Sequence, residues 1–245
     1  MKLKYLLLAL AFTIGCKSGS HEKTLKNGNK IVIEGSIEKG IQRTFSPSGT
    51  LLEELPLLNG KPNGLMREFF SNGKVKEATP IVNGFKHGIK KTYNIIGRIE
   101  QEVPYINGLE EGMVKLYYPN GKVKGQVTYS KGNPLEDLID YDAEGKILPQ
   151  PKIVIQVKNT IALDNKLTFI LSLKPKVKNF NLYAVFPAEK EIAAYDKVKV
   201  KDGMGRYELY KYNGTSLFGE LEVYAVYKSN SGLKGKVKTR IRVAE

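Results

Sequence analysis

The sequence is poor in the residues that most often carry chemistry. It has no tryptophan, one cysteine and two histidines among its 245 residues. A single cysteine excludes an internal disulfide, and the few cysteines and histidines have no spacing typical of a zinc site. No phosphate-binding or dinucleotide-binding glycine motif is present. The sequence therefore predicts a protein that has no metal or cofactor and is not an enzyme.

The few candidates for catalysis are isolated from one another. His21 lies in a polar segment near the start, and His87 lies in a turn sequence, Lys-His-Gly. Neighbours on a strand point to opposite faces, so the adjacent carboxylates Glu53 and Glu54 cannot share a substrate. The other acidic pair, Glu110-Glu111, fills a predicted turn. We therefore predict no catalytic residues.

Long hydrophobic runs are also missing, with one short exception at the start. Two lysines precede the apolar run 5–14, which is too short to span a bilayer and is typical of a secretory signal. Gly15-Cys16 follows and resembles the bacterial lipoprotein lipobox, although Thr13 replaces the usual leucine. The alternative is an ordinary signal peptide with an incidental cysteine. We expect a signal peptide over 1–16, lipidation of Cys16, and attachment to the membrane of the cell envelope (the outer membrane in a diderm organism).

Glycine, in contrast, is abundant and recurs every 24 residues through the first half of the chain. The repeat turn glycines form three series on this period: Gly40, Gly64, Gly88 and Gly112; Gly49, Gly73, Gly97, Gly121 and Gly145; and Gly60, Gly84, Gly108 and Gly132. A fixed period of this length is the signature of a stacked repeat array. Such arrays usually provide binding surfaces.

Each repeat contains two short runs separated by turn residues, which predicts β-hairpins. A three-residue loop such as Ser71-Asn72-Gly73 places Phe69 opposite Val75. If the strands pair without interruption away from this loop, arginine and glutamate residues lie opposite each other on the same face as the aromatic residues. The same pairing also predicts one buried face, which carries those aromatic residues. The predicted pairs are Phe45–Leu51, Arg43–Glu53, Ile41–Leu55, Arg67–Glu77, Leu65–Thr79, Tyr93–Ile99, Lys91–Gln101, Ile89–Val103 and Lys115–Gly125.

A column of aromatic residues follows the same period. It consists of Phe45, Phe69, Tyr93, Tyr117 and Tyr141. Such a column is more often the packing spine that joins successive repeats than the lining of a ligand groove. Both interpretations remain open at the level of sequence.

The repeat resembles a known family. The aromatic-x-x-x-glycine spacing, with the Asn-Gly signals in 117–122 and 83–88, resembles the bacterial variant of the MORN repeat. The resemblance covers about residues 40 to 147. It implies a scaffold or a protein- or lipid-binding module without shared catalytic residues. Proteins with this variant are often labelled as antitoxin-like.

The period stops after residue 148, and Pro149 and Pro151 are a plausible linker. Seven short alternating runs follow, which predicts an antiparallel β-sandwich of immunoglobulin-like type. The runs are 153–157, 167–173, 180–186, 198–200, 207–212, 221–227 and 237–243.

The charge of the chain is concentrated in this second half. Residues 150–245 contain 18 basic and nine acidic residues, or +9 of a net charge of +14. In the last predicted strand Lys236, Lys238, Arg240 and Arg242 alternate with apolar residues. This possible basic patch could contact an acidic polymer, or it could deter edge-to-edge aggregation. We expect no nucleic acid partner, since no aromatic residue interleaves the stripe to stack on bases.

The sequence thus predicts an all-β chain: a repeat array of antiparallel β-hairpins followed by a β-sandwich. The predicted segments are a signal peptide at 1–16, a tether and degenerate leading hairpin at 17–39, the repeat domain at 40–148 and the sandwich at 152–245. The expected function is a membrane-anchored, non-catalytic binding scaffold whose partner is a protein or an acidic envelope polymer. The alternative is an antitoxin-like component of a toxin–antitoxin system, which the secretory signal argues against.

Overall fold

The computed structural model describes residues 20–186, 196–211 and 218–244, and these are almost entirely β-structure, which confirms the predicted class. The chain divides into two compact units. The first extends to Val123 and includes Tyr129–Asn133, and the second comprises Lys124–Thr128 and the residues from Pro134 onward. In the described part of the chain, no helix has the length and apolar character needed to span a bilayer.

The first unit is an antiparallel meander in which strands β1, β2, β3, β4, β6, β7, β9, β10 and β12 are successive neighbours. Its strands are β1 (Ser20–Thr24), β2 (Lys30–Gly35), β3 (Lys39–Phe45), β4 (Leu51–Leu58), β5 (Lys61–Pro62), β6 (Gly64–Phe69), β7 (Val75–Val82), β8 (Phe85–Lys86), β9 (Gly88–Tyr93), β10 (Ile99–Ile106), β11 (Leu109–Glu110) and β12 (Gly112–Tyr117). Strand β1 extends the array into the segment predicted to hold a tether and leading hairpin.

The turns follow from the Asn-Gly signals. In the second 24-residue repeat, Asn83 and Gly84 both have positive φ, at +51° and +83°, as a two-residue hairpin turn requires. At the other end of the hairpin, Gly73 has a φ of +79° and donates its N–H to the Phe70 carbonyl at 2.9 Å. Glycine adopts this conformation without a steric penalty, so the loop closes where the sequence predicts.

The predicted pairing is correct beside these loops but wrong further along the strands. Phe69 lies opposite Val75, as expected, but Glu68 lies opposite Glu77, so Lys76 is an extra residue in a β-bulge. Arg67 therefore pairs with Ala78 and not with Glu77. The first and third hairpins carry the same bulge, so their predicted inner pairs fail in the same way. There, Arg43 pairs with Glu54, Ile41 with Pro56, Lys91 with Glu102 and Ile89 with Pro104.

The bulge also reverses the predicted buried face. A one-residue shift sends every following side chain to the other side of the sheet. Arg67 and Glu77 lie on opposite faces, and the most deeply buried apolar side chains lie on the face without the aromatic column. On this buried face are Leu55, Met66, Ile81, Val103 and Val114, each no more than 5% exposed.

The second unit contains strands that fit the predicted runs, together with three short elements outside those runs, β14, β15 and α1. Its elements are β14 (Asn133–Pro134, of which Pro134 belongs to this unit), β15 (Ile139–Asp140), β16 (Lys152–Asn159), α1 (Ile161–Asp164), β17 (Lys166–Lys174), β18 (Phe180–Val185), β19 (Asp196–Val198), β20 (Val200–Lys201), β21 (Met204–Tyr210), β22 (Phe218–Lys228) and β23 (Lys234–Ala244). Strand β13 (Val123–Ser130) contributes residues to both units. The predicted run 198–200 is split between β19 and β20, and the short helix α1 was not predicted.

The core of the second unit lies between two four-stranded antiparallel sheets. Their strand orders are β16-β17-β21-β20 and β19-β18-β22-β23. Leu171, Leu182, Leu221, Val223 and Ala225 are fully buried in the core that the two sheets share. Alternate residues of the longer strands supply this core, as expected for a sheet with one buried face. The second unit is therefore a sandwich by architecture.

Candidate binding surfaces

The predicted site residues are widely separated in the structure. Cys16 lies outside the described residues. Gly40 lies within strand β3 without a positive φ, unlike its series members Gly64, Gly88 and Gly112. These three begin strands with φ of +124°, +113° and +107°. The glycines support the array and do not converge on a site.

The aromatic column occupies the more exposed face of the first unit. Phe45, Phe69, Tyr93 and Tyr117 are all partly exposed, whereas Tyr141 belongs to the second unit and bridges to Ile147. The Tyr117 hydroxyl donates a hydrogen bond to the Glu102 carboxylate at 2.7 Å. Burial, and this hydrogen bond to a carboxylate, raise the pKa of Tyr117 to about 12. The Tyr117 hydroxyl thus links its strand to the neighbouring strand that carries Glu102.

A row of ion pairs crosses the same face beside the aromatic residues. Arg43 contacts Glu34, and its Nε lies 2.8 Å from Glu54 Oε1. Arg67 Nη1 lies 3.8 Å from the other oxygen of Glu54. Arginine–glutamate contacts thus occur on the face of the aromatic column, but the predicted pairs Arg43–Glu53 and Arg67–Glu77 are wrong, because Glu54 contacts both arginines. In the third hairpin Lys91 contacts Glu102 at 3.2 Å.

Beyond the ion pairs, the same face carries a band of exposed apolar side chains, which we call the apolar strip. Cross-strand pairing places all of them on one side of the sheet. Their exposed fractions run from 37% to 51%, and the strip consists of Leu58, Leu65, Val82, Phe85, Ile89, Ile106, Leu109 and Met113. Contiguous exposed apolar surface of this kind marks interaction sites in soluble proteins.

The strip was detectable in the sequence but was missed. Its members recur on the 24-residue period, as 58, 82 and 106 and again as 65, 89 and 113. A proline column, Pro56, Pro80 and Pro104, has the same period. A Cβ placed on the glycine that faces each proline would lie only 3.0–3.2 Å from it. Proline and glycine thus pack together at the base of the strip.

The buried face holds a row of carboxylates across three strands. Glu53 lies opposite Glu68, which in turn lies opposite Glu77. Burial, and the charge of Glu68, raise the pKa of Glu53. Burial also tends to raise the pKa of Glu77, but Lys90 at 3.0 Å and the Thr79 hydroxyl outweigh it and leave that pKa lowered. The two carboxylates therefore have different environments, which shift their pKa values in opposite directions. These shifts alone do not indicate an acid–base site.

The possible basic patch lies on β23, the edge strand of its sheet. Lys238 and Arg240 both contact the Glu222 carboxylate, at 2.6 and 2.7 Å. Lys236 Nζ lies 4.9 Å above the Tyr224 ring, which stacks on Tyr183 with centroids 4.7 Å apart. Arg242 also has an interaction partner. Neighbouring carboxylate and aromatic groups therefore already engage much of the stripe.

The two histidines lie in different parts of the first unit. His21 lies in β1 opposite Ile33, and His87 Nδ1 lies 3.4 Å from Asn107 Oδ1 in an adjacent turn. Among the described residues no group of His, Cys, Asp and Glu side chains is placed to hold a metal ion.

Comparison with known families identifies the repeats. Residues 62–83 and 110–131 each match the MORN repeat variant. Both segments begin near a two-residue turn and include the following long hairpin, so the match coincides with the structural period. A search of curated proteins found no significant match.

Proposed function

We propose that this protein is a lipid-anchored lipoprotein of the cell envelope whose repeat array is a non-catalytic binding scaffold. The array presents the apolar strip, and the anchor is acylated Cys16. The expected partner of the strip is a protein, because an apolar band bordered by charges resembles the core and rim of protein interfaces.

The observation that carries this proposal is the position of the apolar strip. The first unit already buries one face, which includes Leu55 and Ile81 at 2% and 1% exposure. Ile89 and Ile106, in contrast, are 51% and 49% exposed on the other face. Side chains that remain this exposed contribute little to folding, and their regular recurrence along the array is explained by a partner that spans several repeats.

The ion-pair row favours an ordered surface. Arg43, Glu54 and Arg67 fix one another beside the strip, which lowers the entropy that a partner must remove on binding. A partner would therefore meet apolar side chains on a sheet whose flanking charges are already positioned.

The strip can be tested by changing three of its residues together. Ile89→Lys, Ile106→Lys and Met113→Lys should abolish capture of cross-linked partners from intact cells, because each lysine interrupts the apolar contact. The control is Leu163→Lys in helix α1, where an apolar side chain is 88% exposed in the second unit. Partners that survive the triple substitution, or that disappear equally with the control, would contradict the proposal.

The anchor can be tested separately. Cys16→Ala should move the protein out of the membrane fraction or block its processing, and Cys16→Ser should do the same, since neither side chain forms the thioether. Mass spectrometry of the mature N-terminus checks the modification directly. Unprocessed protein that resides in the cytoplasm would exclude the anchor and favour the antitoxin-like alternative.

We also infer that the second unit is an immunoglobulin-like sandwich. Lettering β16 to β23 as A, B, C, C′, D, E, F and G converts the observed orders into A-B-E-D and C′-C-F-G. These correspond to the two sheets of that fold type. The hallmark disulfide and tryptophan are absent from the sequence, so the support is the strand order alone.

A further inference from the structure

One end of the sandwich contains an open pocket that neither the repeats nor the basic stripe includes. It lies where the β17–β18 loop, the β20–β21 hairpin and the β22–β23 hairpin meet, and has a volume of about 790 Å³. Its polar lining consists of Lys178, Lys228, Lys234, Asn179, Asn181 and Asp202. A volume of this size is within the range of small-ligand sites.

The pocket carries an excess of positive charge that no described carboxylate neutralises through a salt bridge. Three lysines face one carboxylate, Asp202. Within the described residues none of the three lysines forms a salt bridge, although Lys166 and Lys238 of the same unit do. Unpaired cations that converge on a concavity raise the local concentration of anions.

Two of these lysines are placed where their charges repel each other and destabilise the folded state. Lys228 and Lys234 lie directly opposite each other in the pair next to the turn of the β22–β23 hairpin. Like charges in directly opposed positions destabilise a strand pair. A local conflict of this kind is expected at a functional site, where a ligand resolves it.

The walls of the pocket are held in place. Buried Asp140 accepts hydrogen bonds from the Ser229 hydroxyl and the Asn230 N–H, both at 3.0 Å. The Lys228 N–H donates to the Asn179 carbonyl at 3.3 Å, which links the hairpin to the neighbouring loop. The two segments that supply the lysine and asparagine residues of the lining are thereby held together through their backbones, as a preformed site requires.

The lining also indicates the kind of ligand. Lysine ammonium groups bind carboxylate or phosphate as point charges, and asparagine amides both donate to and accept from hydroxyl groups. Phe180, Val200 and Val226 add apolar surface on which the carbon face of a ring can lie. We propose that this pocket binds an anionic sugar, a carboxylate- or phosphate-substituted unit of a glycan. This inference depends on neither the lipid anchor nor the apolar strip.

Calorimetric titration of the full-length chain in detergent tests the proposal with four probes. These are trigalacturonic acid, glucose 6-phosphate, inorganic phosphate and neutral maltotriose. The two anionic sugars should bind, and their affinity should fall as salt is added, because the contacts are charged. Tighter binding of the trimer would assign the site to a polymer, and tighter binding of the monophosphate would assign it to a soluble sugar. Equal affinity for inorganic phosphate, or binding of maltotriose, would overturn the sugar assignment.

The lysine pair is tested by Lys228→Gln together with Lys234→Gln. The double substitution should weaken binding of the anionic sugars by about tenfold or more, the loss expected for charged hydrogen bonds. The control is Lys152→Gln with Lys158→Gln, which removes the same charge from exposed positions of β16. An equal loss in both variants would show non-specific attraction to a basic domain and overturn the site.

Thermal melting of the pocket variant distinguishes a loss of binding from a loss of folding. The pocket variant should melt at the same temperature as the unchanged protein or higher, because the opposed charges are gone. A lower melting temperature would mean that the lysines stabilise the fold, and it would contradict the argument from like-charge opposition.

Discussion

Glycine has different roles in the two units of this protein. Gly73 and Gly121 of the first unit have positive φ, and a Cβ added to either would meet no atom within 4 Å. Gly205 and Gly235 of the second unit lie inside strands, and a Cβ there would meet Leu182 at 2.7 Å or the Tyr227 ring at 2.6 Å. Backbone conformation selects glycine at Gly73 and Gly121 of the repeats, and close packing selects it at Gly205 and Gly235 of the sandwich.

The two units also bury their apolar residues differently. The sandwich surrounds its core with two sheets, so Leu171, Leu182 and Leu221 are fully buried. The repeat unit has one sheet with a thinner buried cluster, Leu55, Met66 and Ile81, and leaves other apolar residues exposed. A repeat array gains stability from neighbouring repeats and keeps a long surface available for binding.

The largest difference in stability between the two units should come from a substitution in the sandwich core. Leu171→Ala removes a side chain that has 0% exposure and leaves a cavity, which should cost about 2–5 kcal/mol. Urea unfolding with hydrogen exchange should show the loss in residues 150–244. Equal loss of protection in the repeats would contradict the division into separately packed units.

The packing role of glycine gives the next effect. Gly235→Ala places a methyl group against the buried Tyr227 ring and Leu138, which should cost about 1–3 kcal/mol through overpacking. The matched variant is Tyr227→Phe with Gly235→Ala, because it removes the hydroxyl 2.8 Å from the new Cβ and should recover part of the loss. A thermal midpoint unchanged by Gly235→Ala would refute the packing explanation.

The conformational role of glycine should have a comparable or smaller effect. Gly73→Val forces a β-branched residue into the left-handed region, at a cost of about 1–2 kcal/mol. Gly73→Asn is the control, since asparagine tolerates this region and should recover most of the stability. If valine and asparagine give the same thermal midpoint, the turn geometry is wrong.

A smaller, pH-dependent effect should come from the partly buried carboxylates of the repeats. The pKa of Glu53 is raised in the folded state, so the native protein loses stability as Glu53 ionises with increasing pH. Glu53→Gln should therefore stabilise the protein at pH 7, by up to about 1 kcal/mol. The gain should shrink as the pH falls through the normal range of glutamate.

Glu77→Gln provides the control of opposite sign. The pKa of Glu77 is lowered, so its contribution is present at neutral pH and is lost as the pH falls. Glu77→Gln should destabilise the protein at pH 7. The same sign for both variants in urea titrations would contradict the two different environments.

The smallest effect should come from the apolar strip. Ile89→Ala should change the free energy of unfolding by less than about 0.5 kcal/mol, because the side chain is half exposed. Ile81→Ala, at 1% exposure in the same unit, should cost about 2–5 kcal/mol. Comparable losses would mean that Ile89 is part of the core and not of a binding surface.

Much of the fold could be predicted because its signals are local. Asn-Gly turns and the three-residue loop ending in Gly73 act over a few residues, so the hairpins and the Phe69–Val75 pair were predictable. The bulge at Lys76 was not, since no local residue preference requires the extra position. That one position moved Glu77 to the opposite face and overturned the predicted buried side.

The candidate surfaces were less predictable than the fold. The possible basic patch was visible as an alternation, but the pairing of Lys238 and Arg240 with Glu222 depends on a partner strand, on which Glu222 lies 18 residues from Arg240. The members of the apolar strip recur on the 24-residue period, but only the strand register shows that their side chains are exposed on one face. Lys178 and Lys228 of the pocket come from different segments, and no spacing in the sequence connects them.

By itself, the sequence determined the period, the turn positions and the β-class, because glycine, asparagine and alternating apolar residues act through local backbone geometry. Only the tertiary structure decided which face is buried, which apolar residues remain exposed, and which lysines meet at the end of the sandwich. These depend on register and on contacts between distant segments, where a single bulge or loop position changes every neighbour that a side chain meets.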